Sequence, residues 1–345
     1  MRGILPVSVC IFALATAHAQ IGAQPGEALL NAHATACSAV THRLYAVEST
    51  QNTVAILDTR TGSRREIAVG KQPIAIAINP VDGTAYIVNA GDATVSILSA
   101  ASDSVTATVH VTHPYDIAID PQTGNALVAN TFSDNLDIID ASTHAVQSLK
   151  AGSADAIVAD TKHGRVYLLG YEAPDIRVWS NGNITRQPAA MHLWGAATNA
   201  SDGTLWVTAL GDGKVITVDG NTDERSAIAV GTLPCAIAVN SQTGNVYVVN
   251  CGDDTLTSIN AHTRKIIGTV STGHHPQALA IDDLSNTVYV ANTQGGSMTV
   301  INGTTGRVRA TISCGANPYS LAALDGRVIV AHVNGPATVI DMRKP

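Results

Sequence analysis

A short apolar motif returns eight times at intervals of about forty-one residues, and this period constrains the fold more than any other feature. Its copies are Leu44-Tyr45-Ala46-Val47, Tyr86-Ile87-Val88-Asn89, Leu127-Val128-Ala129-Asn130, Tyr167-Leu168-Leu169-Gly170, Trp206-Val207-Thr208, Tyr247-Val248-Val249-Asn250, Tyr289-Val290-Ala291-Asn292 and Val328-Ile329-Val330-Ala331. Before most copies runs an alternating segment such as Ile74-Ala75-Ile76-Ala77-Ile78, then a Gly-bearing turn such as Asn240 to Gly244. A third segment closes on Asp or Asn, as in Ile56-Leu57-Asp58 and Ile138-Ile139-Asp140, and a fourth follows a polar turn, as in Val105 to Val109. Alternation rich in β-branched and aromatic residues marks strands. Four strands per repeat cannot bury both faces alone, so the copies must pack on one another around an axis. The expected fold is all-β: a β-propeller of four-stranded antiparallel blades.

A Pro opens five units: Pro73, Pro114, Pro234, Pro276 and Pro318. Eight blades are expected if Ala32 to Ser38 is the first inner strand; seven, with an irregular first unit, is the alternative. The last unit stops near Met342 without a fourth strand, so residues 20 to 31 are expected to supply it and close the ring, removing an exposed edge. Residues 1–19 read as an export signal, with Arg2, the apolar run Ile4 to Ala15 and the cleavage site Ala17-His18-Ala19. Residues 20–345 are expected to form a single propeller domain in the periplasm or outside the cell. No later stretch approaches the length of a transmembrane segment. The formal net charge is −7 and becomes more negative without Arg2, which argues against a nucleic-acid partner.

Tyr86-Ile87-Val88-Asn89, Tyr247-Val248-Val249-Asn250 and Tyr289-Val290-Ala291-Asn292 resemble the YVTN repeats of β-propeller proteins found outside the bacterial cytoplasm. The resemblance covers essentially the whole chain after the signal. It implies the propeller fold. Related propellers bind ligands, carry haem or copper, or act as lactonases and lyases, and the fold does not choose among these roles.

The fourth and fifth units, Ser153 to Gly231, break the pattern: they lack the opening Pro and the Asn that ends the second strand, and they hold Trp179, Trp194 and Trp206. Trp206 falls on the Tyr position of the repeat and reads as packing, as does Trp179. Trp194 falls where Ile74 sits, near the channel mouth, and reads either as packing or as a ligand wall. His113, His192 and His275 stand just before the Pro anchor or its substitute, and His274 and His332 share their face. These five are candidate ligands for copper or another transition metal; the alternative is that each caps its own blade. With Trp194, the residues His113, His192 and His275 are also the candidate small-molecule contacts.

Cys235 begins an inner strand and Cys251 ends the next. Antiparallel register carried up from Asn240 and Asn245 places them almost opposite, so a cross-strand disulfide is expected. The alternative is a pair of thiolate metal ligands. A bridge between Cys37 and Cys314 has no register argument. Motifs for covalent haem, zinc hydrolysis, a nucleophilic Ser or a phosphate loop are missing. Asp92, Asp134, Asp212 and Asp253 recur at equivalent loop positions, which is turn chemistry. The expected function is binding or scaffolding of a protein or small molecule. The alternatives are a metal- or cofactor-dependent oxidoreductase and a lactonase- or lyase-like enzyme.

Overall fold

A computed structural model describes residues 34–173, 175–189, 192–240 and 242–344. Eight antiparallel sheets follow one another in sequence order. Seven have four strands and the eighth, Pro318–Leu324, Arg327–His332 and Thr338–Asp341, has three among the described residues. The inner strand of each sheet packs on that of the next, and Thr35–Ser38 of the first packs on Pro318–Leu324 of the eighth. The fold is a β-propeller of eight blades. The segment expected to complete the last blade, residues 20 to 31, lies outside the described residues, as does the expected export signal.

Burial explains the composition of each strand. The three inner strands are covered on both faces by neighbouring blades, so they read as continuous apolar runs, such as Val246 to Val249. The outer strand has one solvated face, and Ser104–His110 alternates accordingly. Tyr45, Tyr86, Tyr167, Trp206, Tyr247 and Tyr289 occupy one repeated buried position, which confirms Trp206 as a packing residue. Trp179 is also buried, and its Nε1–H donates to Asp120 of the preceding blade at 3.3 Å.

The entry to each inner strand is where the blades present side chains to the channel mouth. Gln72, His113, His192, Leu233, His275 and Asn317 share left-handed backbone, with φ between 47° and 59°. The next residue but one lies past a register shift, so Ile74, Tyr115, Trp194, Cys235, Gln277 and Tyr319 sit in a bulge that re-aims them. The left-handed carbonyl then accepts the N–H that follows the second strand, as Ala90 donates to Gln72 at 3.0 Å and Thr293 to His275 at 2.9 Å.

The ring seam between blades one and eight is held by polar clamps as well as by packing. Glu48 Oε1 accepts from Arg64 Nη2 at 2.8 Å and from the Ala337 backbone N–H at 2.7 Å. Arg64 Nη1 returns to the Ala337 carbonyl at 2.7 Å. On the opposite face Arg327 donates to the Asp58 carbonyl at 2.9 Å, and His42 Nδ1 lies 2.9 Å from Asp325 Oδ2.

Candidate functional site

A buried polar node recurs beside the second strand of blades two, six and seven. In blade two Asn89 Nδ2 donates to Ser96 Oγ at 2.9 Å, and in blades six and seven Asn250 and Asn292 donate to Thr257 and Thr299 at the same distance. A glycine of the incoming loop packs on each amide: a Cβ at Gly70, Gly231 or Gly273 would come within 2.5–2.6 Å of the Asn side chain. All three nodes are neutral; Asn250 Oδ1 and Asn292 Oδ1 also accept a loop glycine N–H, as burial requires of polar groups, whereas Asn89 Oδ1 makes no hydrogen bond among the described residues.

Blade four rewrites this node. Gly170 stands in place of the Asn, and Arg177 stands where blades two, six and seven have Ser96, Thr257 and Thr299 and blade three has the buried Asp137, as the pairing of Leu168 with Arg177 shows. The guanidinium fills the space that the amide vacates: a Cβ at Gly170 would lie 3.1 Å from Nη2, and one at Gly152 would lie 2.7 Å from Nη1. Arg177 is 1% exposed. Its Nη1 donates to the carbonyls of Ser153 at 2.7 Å and Ala151 at 3.2 Å. Nη2 and Nε make no hydrogen bond among the described residues, although Nε lies 3.4 Å from Asp175 Oδ1. Burial pulls the Arg177 pKa down, with Asp175 opposing and Arg186 adding to the pull. An arginine stays charged even so, and a buried, incompletely paired cation is costly to keep.

Arg177 lines a cavity of about 630 Å³ on the loop face of blades three, four and five. That volume lies in the range of small-molecule sites. Tyr115, Phe132, Tyr171 and Trp194 supply aromatic walls. Trp194, 4% exposed, meets Tyr171 edge-on with ring centroids 5.4 Å apart. The Tyr171 ring in turn lies 4.8 Å from His192. Arg186 joins from the outer strand, where its Nη1 bonds Asp175 at 2.9 Å and its Nη2 the Ala151 carbonyl at 3.2 Å. The acids of the wall are Asp155, whose Oδ2 accepts the Tyr171 backbone N–H at 2.7 Å, Asp175, and the exposed Glu172. Thr131 Oγ1 is buried there and makes no hydrogen bond among the described residues. Burial, with the Asp116 and Asp155 charges, pushes the Tyr115 pKa up, so this phenol stays protonated.

The residues singled out from the sequence are dispersed. Trp194 is in the cavity wall and His192 stands behind it. His113 is exposed beside Pro114-Tyr115. His275 donates its backbone N–H to Asp254 at 2.8 Å, and His274 Nδ1 lies 3.0 Å from the other oxygen of that carboxylate. Both nitrogens of His332 are engaged, with the Ala316 carbonyl and Thr338 Oγ1. Cys235 and Cys251 are joined as a disulfide with Cα atoms 6.0 Å apart, so neither presents a thiolate. Cys314 is a buried free thiol and therefore makes no bridge to Cys37. Among the described residues no three His, Cys, Asp or Glu side chains gather in a metal-holding group. Left-handed backbone also accounts for His113, His192 and His275: His tolerates positive φ better than most residues, and Gln72, Leu233 and Asn317 hold the same place.

Arg177, Arg186, Asp175 and Tyr171 were not singled out from the sequence. The available signal was the absence of Asn at Gly170 together with a cation on a strand position that blades two, six and seven give to Ser or Thr.

Residues 214–341 match the sequence profile of the YNCE-like β-propeller, which spans the last two strands of blade five through blade eight. The chain has the β-propeller fold. No curated protein matches its sequence. Among solved structures it is similar to the dihydro-heme d1 dehydrogenase NirN in complex with DHE, at 14% identity and TM-score 0.72, over 93% of this propeller and 78% of that chain. It is similar to hydrazine synthase of Kuenenia stuttgartiensis, at 17% identity and TM-score 0.62, over 81% and 99%. It is also similar to streptogramin B lyase, at 16% identity and TM-score 0.60, over 74% and 88%. Likeness at these identities carries the propeller fold alone. No helix among the described residues is long and apolar enough to cross a membrane.

Proposed function

We propose that this propeller is an extracytoplasmic binding protein, exported by residues 1–19, that receives a small molecule in the cavity of blades three to five. One observation carries the reading. Where blades two, six and seven bury a neutral Asn–Ser or Asn–Thr pair, blade four buries Arg177, whose Nη2 and Nε make no hydrogen bond among the described residues, beside a cavity. A repeat keeps its cheap solution unless a departure does something else, and costly charges gather at functional sites. The aromatic walls and a few polar groups fit the usual make-up of a small-molecule site. The oxidoreductase alternative draws on His113, His192, His275, Cys235 and Cys251, of which the two cysteines are joined as a disulfide and no three such side chains gather in a metal-holding group among the described residues, and the lyase alternative draws on the breadth of the resembled family.

The test is ligand-detected NMR of the mature protein against fractionated small-molecule extract of its native host. Binders are expected, and Trp194→Phe together with Phe132→Ser should weaken them. Binders that ignore both substitutions, or stoichiometric metal or chromophore in the purified protein, would sink the reading.

A further inference from the structure

We infer that the ligand of this cavity is an organic anion: an acid group held at the Arg177–Arg186 pair, on a flat body packed against Tyr171 and Trp194. The inference rests on the cavity being a binding site and adds the chemical class of its occupant. Two guanidiniums meet around one peptide. Both donate to the Ala151 carbonyl at 3.2 Å, and a Cβ at Gly152 would lie 2.7 Å from Arg177 Nη1 and 3.3 Å from Arg186 Nη2. One carboxylate, Asp175, serves both, at 3.4 Å from Arg177 and 2.9 Å from Arg186. Asp155 is partly spent on the Tyr171 N–H, and Glu172 is exposed at the rim. The wall sets two guanidiniums against three carboxylates, but Asp175 is already paired with both arginines and Glu172 stands exposed, so what the inner part of the cavity offers an anion is guanidinium donors rather than net positive charge.

The donor count agrees. Of the five N–H groups of a guanidinium, those of Arg177 Nη1 are taken by carbonyls, while among the described residues Nη2 and Nε make no hydrogen bond, Nε facing Asp175 at 3.4 Å, and Thr131 Oγ1 nearby also makes none. Guanidinium edges match carboxylates in shape as well as charge. Arg186, more than half exposed, meets the acid directly, and Arg177 fixes the positive charge beneath it. The Trp194–Tyr171 edge-on pair offers a rigid apolar wall to the rest of the molecule.

Calorimetric titration with indole-3-acetate, indole-3-acetamide and tryptamine separates the outcomes, with benzoate and benzamide as a smaller pair. The acids should bind at least about tenfold more tightly than the amides, as a charge-assisted pair implies. That preference should vanish in Arg186→Gln and should shrink as salt is raised. Arg177→Lys, which keeps the charge but loses the planar edge, should retain part of it. Acid and amide binding alike overturns the anion inference and leaves the cavity reading standing. Tighter binding of tryptamine overturns it in favour of a cation caged by the aromatic residues. No binding by any probe, charged or neutral, in a folded protein counts against both readings.

Discussion

Glu48 of the first blade accepts the backbone N–H of Ala337 of the last, at 2.7 Å, and so ties the two ends of the chain together. The carboxylate is 3% exposed and also holds Thr53 Oγ1 and Arg64. Removing it leaves the Ala337 amide and Thr53 Oγ1 without this acceptor, and Arg64 with only Glu66 and the Ala337 carbonyl, at the one junction that no continuous chain crosses among the described residues. Glu48→Ala should cost about 3 kcal/mol, the loss typical when one partner of a buried charged network is removed. For a chain of this size that is a fall in Tm of roughly 4–5 °C. A melting curve within about 1 °C of the parent would show that the seam is held by packing alone.

Gly170 and Arg177 should behave as one unit. Gly170→Asn alone drives a side chain against Ala173, the Ser153 carbonyl and Arg177 Nη2, and should destabilise by about 1–3 kcal/mol. Gly170→Asn with Arg177→Thr recreates the node of blades six and seven. The double variant should recover more than 1 kcal/mol relative to the sum of the singles, as residues in contact do. It should also lose the cavity's ligand. Additive denaturant midpoints would break the equivalence drawn between the blades.

Asp283 gives the stability a pH dependence of a definite sign. Burial, with Asp282 beside it, pushes its pKa up to about 7. The folded state then holds a proton that the unfolded chain releases near pH 4. This contribution is fully present below about pH 4 and is lost as pH rises through about 7. Since the side chain is partly solvated, the total is at most ~2 kcal/mol. Asp283→Asn should match the parent below about pH 4.5 and exceed it at pH 8, measured by urea denaturation. A constant gap across that window would remove Asp283 from the account.

The Cys235–Cys251 bridge closes a loop of sequence separation 16. Loop entropy predicts a contribution of about 3 kcal/mol, less what the hairpin already orders. Cys235→Ser with Cys251→Ser should therefore lower stability by roughly 2 kcal/mol in denaturant unfolding. Cys235 packs in the same cluster as Trp194 and Tyr171, so the Trp194 environment should also change in near-ultraviolet circular dichroism. An unaltered spectrum would separate the bridge from the cavity wall.

These cases show where a repeat is readable. The blades follow from period and alternation, because each inner strand must be apolar on both faces. The Cys235–Cys251 bond follows from register: the pairing of Asn240 with Asn245 runs up the ladder to Pro234 and Asn250 with one bulge on the way. The histidines before the anchors drew attention as candidate ligands because they recur, and backbone geometry supplies a reason for the recurrence. Arg177 escaped notice for the opposite reason. A lone charge on a third strand looks solvated until the neighbouring blades are known to cover it, and the cavity it lines takes its walls from three units far apart in sequence.

The node that blade four rewrites exists in closely similar form in blades two, six and seven. Each is a socket of the same shape at a different angle around one axis. A Gly–Arg pair transplanted into any of them changes two residues and leaves the strand ladder untouched. The ring is therefore a dial of interchangeable positions: the place of a buried charge can be chosen by blade number, and the loops above it adapted afterwards.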